Sequence, residues 1–118
     1  LEKIVQQLKR HDYSLSLQCN FGRPVKRINA STDRLFHRLQ NVGKELGLFI
    51  DWKDSGGCCD GNNLAKQGIP VMDTLGVRGG KIHSEEEYLL LDSLPERAAL
   101  SALLLLDLAQ GGLEDLKK

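Results

Sequence analysis

The sequence has no excess of charge of either sign, because 16 acidic residues balance 16 basic residues among 118. No net field therefore draws the chain to nucleic acid or to an anionic membrane, and we expect neither partner. A long apolar run is also missing, since the longest, near residues 98–106, is far too short to span a bilayer. We expect no signal peptide, and the length suits one domain with a modest core.

Cysteine is scarce, and the three present are Cys19, Cys58 and Cys59. An odd number cannot pair completely, and adjacent residues such as Cys58 and Cys59 rarely form a good disulfide with each other. Free thiols are typical of a reducing compartment, so we expect a cytoplasmic protein. A thiol at a helix start can be reactive, but we interpret these two adjacent cysteines as buried, inert side chains.

Apolar residues recur at helical spacing in three segments, and they alternate or cluster in four shorter ones. The first set predicts helices over residues 1–11, from the capping signals at 29–32 to Gly47, and from a Ser93–Glu96 capping box to about Gln110. A further short helix is expected over residues 60–67, after the glycine-rich loop. The second set predicts extended segments over residues 13–19, 48–52, 69–75 and 87–91. Strands that alternate with helices indicate an α/β layer with a parallel or mixed sheet.

A glycine-rich turn in residues 76–88 delivers one imidazole, His83, with a hydroxyl and three carboxylates just behind it. Imidazole is the usual ligand for zinc near neutral pH. A zinc site needs three or four ligands, however, and the rest of the chain supplies no obvious set. His83 therefore suggests metal chemistry, while its isolation suggests that the chain is part of a larger catalyst.

Three stretches carry a family pattern: Gly22-Arg23-Pro24, the glycine-rich loop at 55–62, and the run from Ile69 through His83 to Tyr88. In this order and spacing they resemble the C-terminal third of the two-zinc exopeptidases. That family includes glutamate carboxypeptidase, acetylornithine deacetylase, succinyl-diaminopimelate desuccinylase and aminoacylase. The resemblance covers nearly the whole chain, and it implies a zinc-dependent metallohydrolase that cleaves an amide bond, as a carboxypeptidase or an N-acyl-amino-acid deacylase.

The resemblance also implies a division of the chain. Residues 1–24 would be the last helix and strand of a lid domain, through which relatives often form a homodimer. Residues 25–118 would be the C-terminal part of a zinc-exopeptidase-like catalytic layer. The missing N-terminal catalytic half would be the main partner, and the substrate would be a small peptide or an N-acyl amino acid.

Individual site residues follow from the same resemblance. His83 would be the last ligand of a two-zinc centre. Arg23 would grip the substrate carboxylate, Cys58 would stand where relatives place threonine or serine near the substrate, and Gly79 would face the substrate from its turn. The general base and the remaining metal ligands would lie upstream, so no catalytic base is expected in this chain, which would be inactive by itself.

Two other interpretations stay open. The chain could be a stand-alone binding or regulatory domain that lacks the catalytic half. It could also be a small metal or thiol protein built on Cys58, Cys59, Asp60 and His83. Against a ligand role, Asp60 is better interpreted as the cap of the short helix that follows it.

Overall fold

The computed structural model describes residues 1–8, 12–20 and 22–117. Its helices are α1 (Glu2–Leu8), α2 (Ala30–Glu45), α3 (Gly61–Lys66), α4 (Ser93–Asp107) and α5 (Leu113–Leu116), and a kinked π-type segment (Leu108–Gly112) joins the last two. Two short strands, β1 (Gly79–Gly80) and β2 (Tyr88–Leu89), pair antiparallel. Residues 9–11 of the predicted first helix lie outside the described part of the chain.

Helix α2 forms where its capping signals and its apolar spacing predict it. The side chain of Asn29 accepts a hydrogen bond of 2.8 Å from the backbone N–H of Thr32, and the helix is followed by Gly47 in the left-handed region, with φ of +71°. Its buried face packs against α4 and α5, through a cluster made of Leu35, Phe36, Leu39, Val42, Leu100, Leu104 and Leu116. Leu39 and Leu100 are almost fully buried, which is worth about 1.5–3 kcal/mol for each side chain.

Arg38 of α2 forms ion pairs at the ends of both C-terminal helices. Arg38 binds the carboxylate of Asp107 at 2.8 Å and also pairs with Asp115 of α5. The chain turns between these two acidic residues, because Gly111 adopts φ of +114°, where other side chains are strained. The predicted end of the long helix near Gln110 is therefore confirmed.

The start of α4 differs from the predicted capping box. The hydroxyl of Ser93, fully buried, donates to the backbone oxygen of Leu90 at 2.6 Å and accepts from the backbone N–H of Arg78 at 2.9 Å. Ser93 therefore ties the β1–β2 hairpin to the first turn of α4. A local capping motif was the wrong interpretation, because the buried hydroxyl binds a group fifteen residues away.

Of the predicted extended segments, only 87–91 contributes a strand among the described residues, and Thr74 within 69–75 adopts φ of +62°, outside the extended region. Residues 14–20, 48–52 and 69–75 form no ladder with any other part of the described chain. A ladder needs a neighbouring strand to exchange hydrogen bonds, and local sequence cannot supply one. Side chains of the last two segments, among them Leu48, Ile50, Met72 and Leu75, pack on the helical core instead.

The molecule is flat and open. Its radius of gyration is 20.3 Å, with extents of 67 × 42 × 17 Å, whereas a compact domain of this length has a radius of about 13–14 Å. Helix α1 buries none of its residues, and Phe49 is 92% exposed. No helix in the described ranges has the length and apolar character needed to cross a membrane.

Candidate functional site

Arg23 and the glycine-rich loop at 55–62 meet in space. Nη2 of Arg23 lies 2.9 Å from Oδ1 of Asp60, and Nη1 donates to the sulfur of Cys58 at 3.9 Å. The arginine side chain is 42% exposed and the Asp60 side chain 90% exposed, so the pair is open to solvent. Two of the three predicted substrate contacts, 35 residues apart in sequence, are therefore neighbours.

This arrangement corrects two expectations. Asp60 makes no side-chain capping hydrogen bond to α3, because its carboxylate turns to the guanidinium of Arg23. Cys58 is exposed and Cys59 is only half-buried, so the interpretation of both as buried thiols was wrong. All three cysteines are free in the structure.

Asn62 fixes the loop that carries Cys58. It is 8% exposed; its Oδ1 accepts from the backbone N–H of Cys59 at 3.0 Å, and its Nδ2 donates to the backbone oxygen of Pro24 at 2.9 Å. A buried amide that uses both of its ends is satisfied and well oriented. Asn62 thus connects the residue after Cys58 with the residue after Arg23.

Asp73 lies beneath the same loop. Its Oδ2 accepts a hydrogen bond of 2.8 Å from the Cys59 thiol and also binds the ammonium group of Lys26. The hydrogen bond from Cys59, followed by that from Lys26, holds the pKa of Asp73 below its usual range, although partial burial acts in the opposite direction. The carboxylate is therefore ionised at neutral pH and remains a double acceptor.

His83 sits on an exposed turn between the two short strands. Its φ is 68°, in the left-handed region that histidine enters more readily than most residues. Ser84 holds the turn, because its hydroxyl donates to the backbone oxygen of Lys81 at 2.7 Å and accepts from the backbone N–H of Glu86. The ammonium group of Lys81 also lies 2.7 Å from the carboxylate of Glu86. The imidazole is thus presented to solvent by a well-braced turn.

Gly79 lies in β1, opposite Leu89 of β2. A β-carbon added at Gly79 would lie 2.2 Å from the backbone oxygen of Tyr88, which no side chain tolerates. A β-carbon at Gly80 would lie 2.9 Å from the phenol oxygen of the same tyrosine. The close approach of the two strands is therefore sufficient reason for glycine at both positions.

The site residues form two groups. Arg23, Cys58 and Asp60 form the first, and Gly79 and His83 belong to the hairpin; between residues that the structure describes, no hydrogen bond or ion pair joins the two groups. Within the same residues, no cluster of three or more His, Cys, Asp and Glu side chains could hold a metal ion. His83 can supply one exposed nitrogen donor, so a zinc ion at this turn requires ligands from elsewhere.

Sequence reasoning assigned no role to Lys26 or Asp73. Asp73 carried a signal, since it is a charged residue inside the apolar segment 69–75. A carboxylate in such a segment needs a partner. The identity of that partner could not be predicted, because Lys26 and Cys59 are 47 and 14 residues away from Asp73 in the sequence.

The molecule also has an apolar groove of about 380 Å³. It lies between the segment 69–75 and the helices α2 and α4, and its lining includes Ile69, Val71, Leu104 and Leu105. Ile69 is 48% exposed and Leu105 66% exposed, so the groove leaves large apolar side chains open to solvent.

Comparison with known proteins gives a consistent result. Residues 12–107 match the family described as Peptidase family M20/M25/M40. Carboxypeptidase G2 from Pseudomonas sp. (strain RS-16) is 29% identical over 113 residues, which cover 94% of this chain and 27% of that protein. The chain thus spans about a quarter of the length of the relative. No solved structure showed a significant match.

Proposed function

The chain belongs to peptidase family M20/M25/M40, and from that premise we propose that it forms part of a zinc-dependent enzyme that hydrolyses an amide bond. The substrate class is a small peptide or an N-acyl amino acid, so the reaction is that of a carboxypeptidase or an N-acyl-amino-acid deacylase. The similarity to a protein named a carboxypeptidase supports the first of these. Both substrate classes release or carry a free carboxylate, and we propose that this chain recognises it.

The observation that carries the proposal is the contact between Arg23 and Asp60. The arginine already binds a carboxylate oxygen, at 2.9 Å, beside the exposed thiol of Cys58. The planar guanidinium can donate two parallel hydrogen bonds to a carboxylate, which an ammonium group cannot do. We propose that the substrate carboxylate replaces Asp60 in this contact, with Cys58 next to it.

His83 fits the role of a metal ligand, since it is exposed and its turn is held by Ser84. Zinc bound there would polarise the scissile carbonyl and activate a water molecule. His83 would hold the ion through one neutral ring nitrogen. We propose that the other ligands of a two-zinc centre, and the general base, come from a part of the protein outside this chain.

The open shape of the chain supports the proposal that another part of the full-length protein packs against it. The groove beside residues 69–75 exposes large apolar side chains, and the backbone of 48–52 is without a ladder within the described chain. Exposed apolar surface and unpaired strand edges favour association with another segment. We propose that the N-terminal half of the full-length enzyme covers the groove and completes an α/β sheet with these segments, while residues 25–118 provide the rest of that layer.

Further features of the proposal rest on the resemblance. Residues 1–24 would belong to a lid through which two copies associate, and the exposed face of α1 is compatible with that. The three free thiols fit a reducing, cytoplasmic location. Neither a nucleic acid nor a membrane is proposed as a partner, because the numbers of acidic and basic residues are equal.

The thiol–metal alternative finds less support in the geometry. The thiol of Cys58 faces Arg23, whereas that of Cys59 donates to Asp73. Two sulfurs with different partners do not form a ready pair of ligands, and His83 belongs to the separate hairpin turn.

The test compares the full-length enzyme with the 118-residue chain. We expect zinc-dependent release of amino acids from N-acyl or dipeptide substrates by the full-length enzyme alone. Hydrolysis by the isolated chain, or hydrolysis by the full-length enzyme that survives complete zinc removal, would contradict the proposal. Tight zinc binding by the isolated chain, lost when Cys58 and Cys59 are both replaced by serine, would instead favour the metal or thiol protein.

A further inference from the structure

We propose that Asp73 is a positioning residue for substrate recognition, which holds the two segments of the carboxylate site at a fixed separation. These segments are residues 23–26, which carry Arg23, and residues 58–62, which carry Cys58. The inference rests on the proposed function, because it assumes that Arg23 reads the substrate carboxylate. It assigns to Asp73 no contact with the substrate itself.

Asp73 bridges the two segments directly. Its Oδ2 binds Lys26, three residues after Arg23, and Cys59, one residue after Cys58. A single carboxylate oxygen therefore connects one side chain from each segment. The side chains of Lys26 and Asp73 are 24% and 34% exposed, so their pair is better shielded from water than the open pair between Arg23 and Asp60.

The local packing leaves room for this bridge. A β-carbon at Gly61 would lie 2.9 Å from Cγ1 of Val71, 3.0 Å from Oδ2 of Asp73 and 3.1 Å from the sulfur of Cys59. Glycine at the first helical position of α3 thus leaves space for Val71 as well as for the carboxylate and the thiol. Asn62 supports the same alignment, through its bonds to Pro24 and Cys59.

The consequence concerns Arg23. Its side-chain contacts, to Asp60 and Cys58, are exposed and contribute little to fixing the guanidinium. The position of its backbone relative to the loop is therefore what pre-organises the carboxylate site, and Asp73 holds that position together with Asn62. Pre-organisation raises affinity because the site need not be ordered during binding. Asp73 should therefore act on substrate affinity through Arg23.

The experiment uses the full-length enzyme and two substrates that differ only in a free or amidated carboxylate. For Asp73→Asn we expect KM for the carboxylate substrate to rise about tenfold, because two hydrogen bonds to a charged acceptor are weakened, with kcat within about twofold. KM for the amide should change much less. The control is Asp54→Asn, which makes the same charge change at an exposed residue of the same loop region.

A second pair of variants protects the test against misfolding. Cys59→Ser keeps a donor for Asp73, and Cys59→Ala removes it. We expect the alanine variant to raise KM for the carboxylate substrate, the serine variant to retain most of the wild-type affinity, and Cys59→Ala combined with Asp73→Asn to be less than additive. Equal KM values for serine and alanine, or equal losses on both substrates, would overturn the positioning role.

The variant Arg23→Lys separates the positioning role of Asp73 from the recognition of the substrate carboxylate by Arg23. If this variant discriminates between the carboxylate and the amide while Asp73→Asn does not, the positioning role of Asp73 is wrong and the proposed function stands. If Arg23→Lys affects both substrates equally, carboxylate reading by Arg23 is wrong and the inference falls with it.

Discussion

The guanidinium of Arg23 and the carboxylate of Asp60 lie 2.9 Å apart, although 37 residues separate them in sequence. The contact uses one guanidinium nitrogen and one carboxylate oxygen, so it leaves the second nitrogen directed at Cys58. Asp60 therefore occupies, from within the chain, the place proposed for a substrate carboxylate. Binding of substrate must displace it.

We expect Asp60→Asn to lower KM for carboxylate substrates of the full-length enzyme by about 1.4- to fivefold, because an exposed ion pair is worth about 0.2–1 kcal/mol. Steady-state kinetics on matched carboxylate and amide substrates checks this. Asp54→Asn, with the same loss of charge, should leave KM unchanged. A rise in KM on Asp60→Asn would mean that Asp60 supports the site instead of competing for it.

Arg23→Lys should raise KM for the full-length enzyme more than it lowers kcat. Lysine keeps the positive charge but loses the planar fork that matches a carboxylate. The loss should be larger for substrates with a free carboxylate than for their amides. A kcat effect that exceeds the KM effect would place Arg23 closer to the chemical step.

His83→Ala should reduce activity of the full-length enzyme by orders of magnitude and weaken the binding of one zinc ion, because a directly bound ligand is lost. Zinc content per protein, measured after dialysis, provides a readout independent of turnover. His37→Ala is a suitable control, since His37 is also exposed but lies on α2 beside Asp33. Two tightly held zinc ions in His83→Ala would remove His83 from the metal site.

The lowered pKa of Asp73 makes the stability of the fold depend on pH. A carboxylate whose pKa is lower in the folded than in the unfolded protein stabilises the fold at pH values above its unfolded pKa, near 3.8. This contribution is lost as the pH falls through the folded pKa. Urea unfolding of the full-length protein should show Asp73→Asn less stable than wild type at pH 7, with the difference shrinking below pH about 4. A difference that is constant with pH would contradict the ionised bridge.

Gly79→Ala should disrupt the hairpin that carries His83, because its β-carbon would meet the backbone oxygen of Tyr88. We expect a loss of about 1–3 kcal/mol in stability of the hairpin, as for other overpacked sites. Gly76→Ala is the matched control, since a β-carbon there meets nothing within 4 Å. Amide hydrogen exchange of residues 79–89 measures the effect. Equal protection in the two variants would mean that the strands can move apart at little cost.

The local sequence pattern was sufficient to predict the two long helices, but it could not predict contacts between segments that are distant in the sequence. The apolar spacing of α2 and the Asn29 cap act within one or a few turns, so both could be predicted. The sequence around Asp60 looked like a helix start, but its carboxylate is directed to an arginine far upstream. Local capping and a distant ion pair compete for the same oxygen, and only the folded backbone decides between them.

The segments that were predicted to be extended show that local sequence also cannot predict which strands pair. Alternating side chains at 13–19 and apolar runs at 48–52 and 69–75 indicate which residues prefer an extended backbone. They do not indicate a neighbour, and within the described residues 14–19, 48–52 and 69–75 form no ladder. The α/β layer therefore remains a prediction, whose test is the structure of the full-length enzyme.

Cys58 offers a point for chemical labelling beside the proposed carboxylate site. Its thiol is exposed and lies 3.9 Å from Nη1 of Arg23. A fluorophore attached there would stand over the guanidinium, and a bound carboxylate would slow the attachment by covering the sulfur. With Cys19 replaced by serine to remove the other exposed thiol, the labelling rate becomes a direct measure of occupancy, in a protein that needs no turnover to report it.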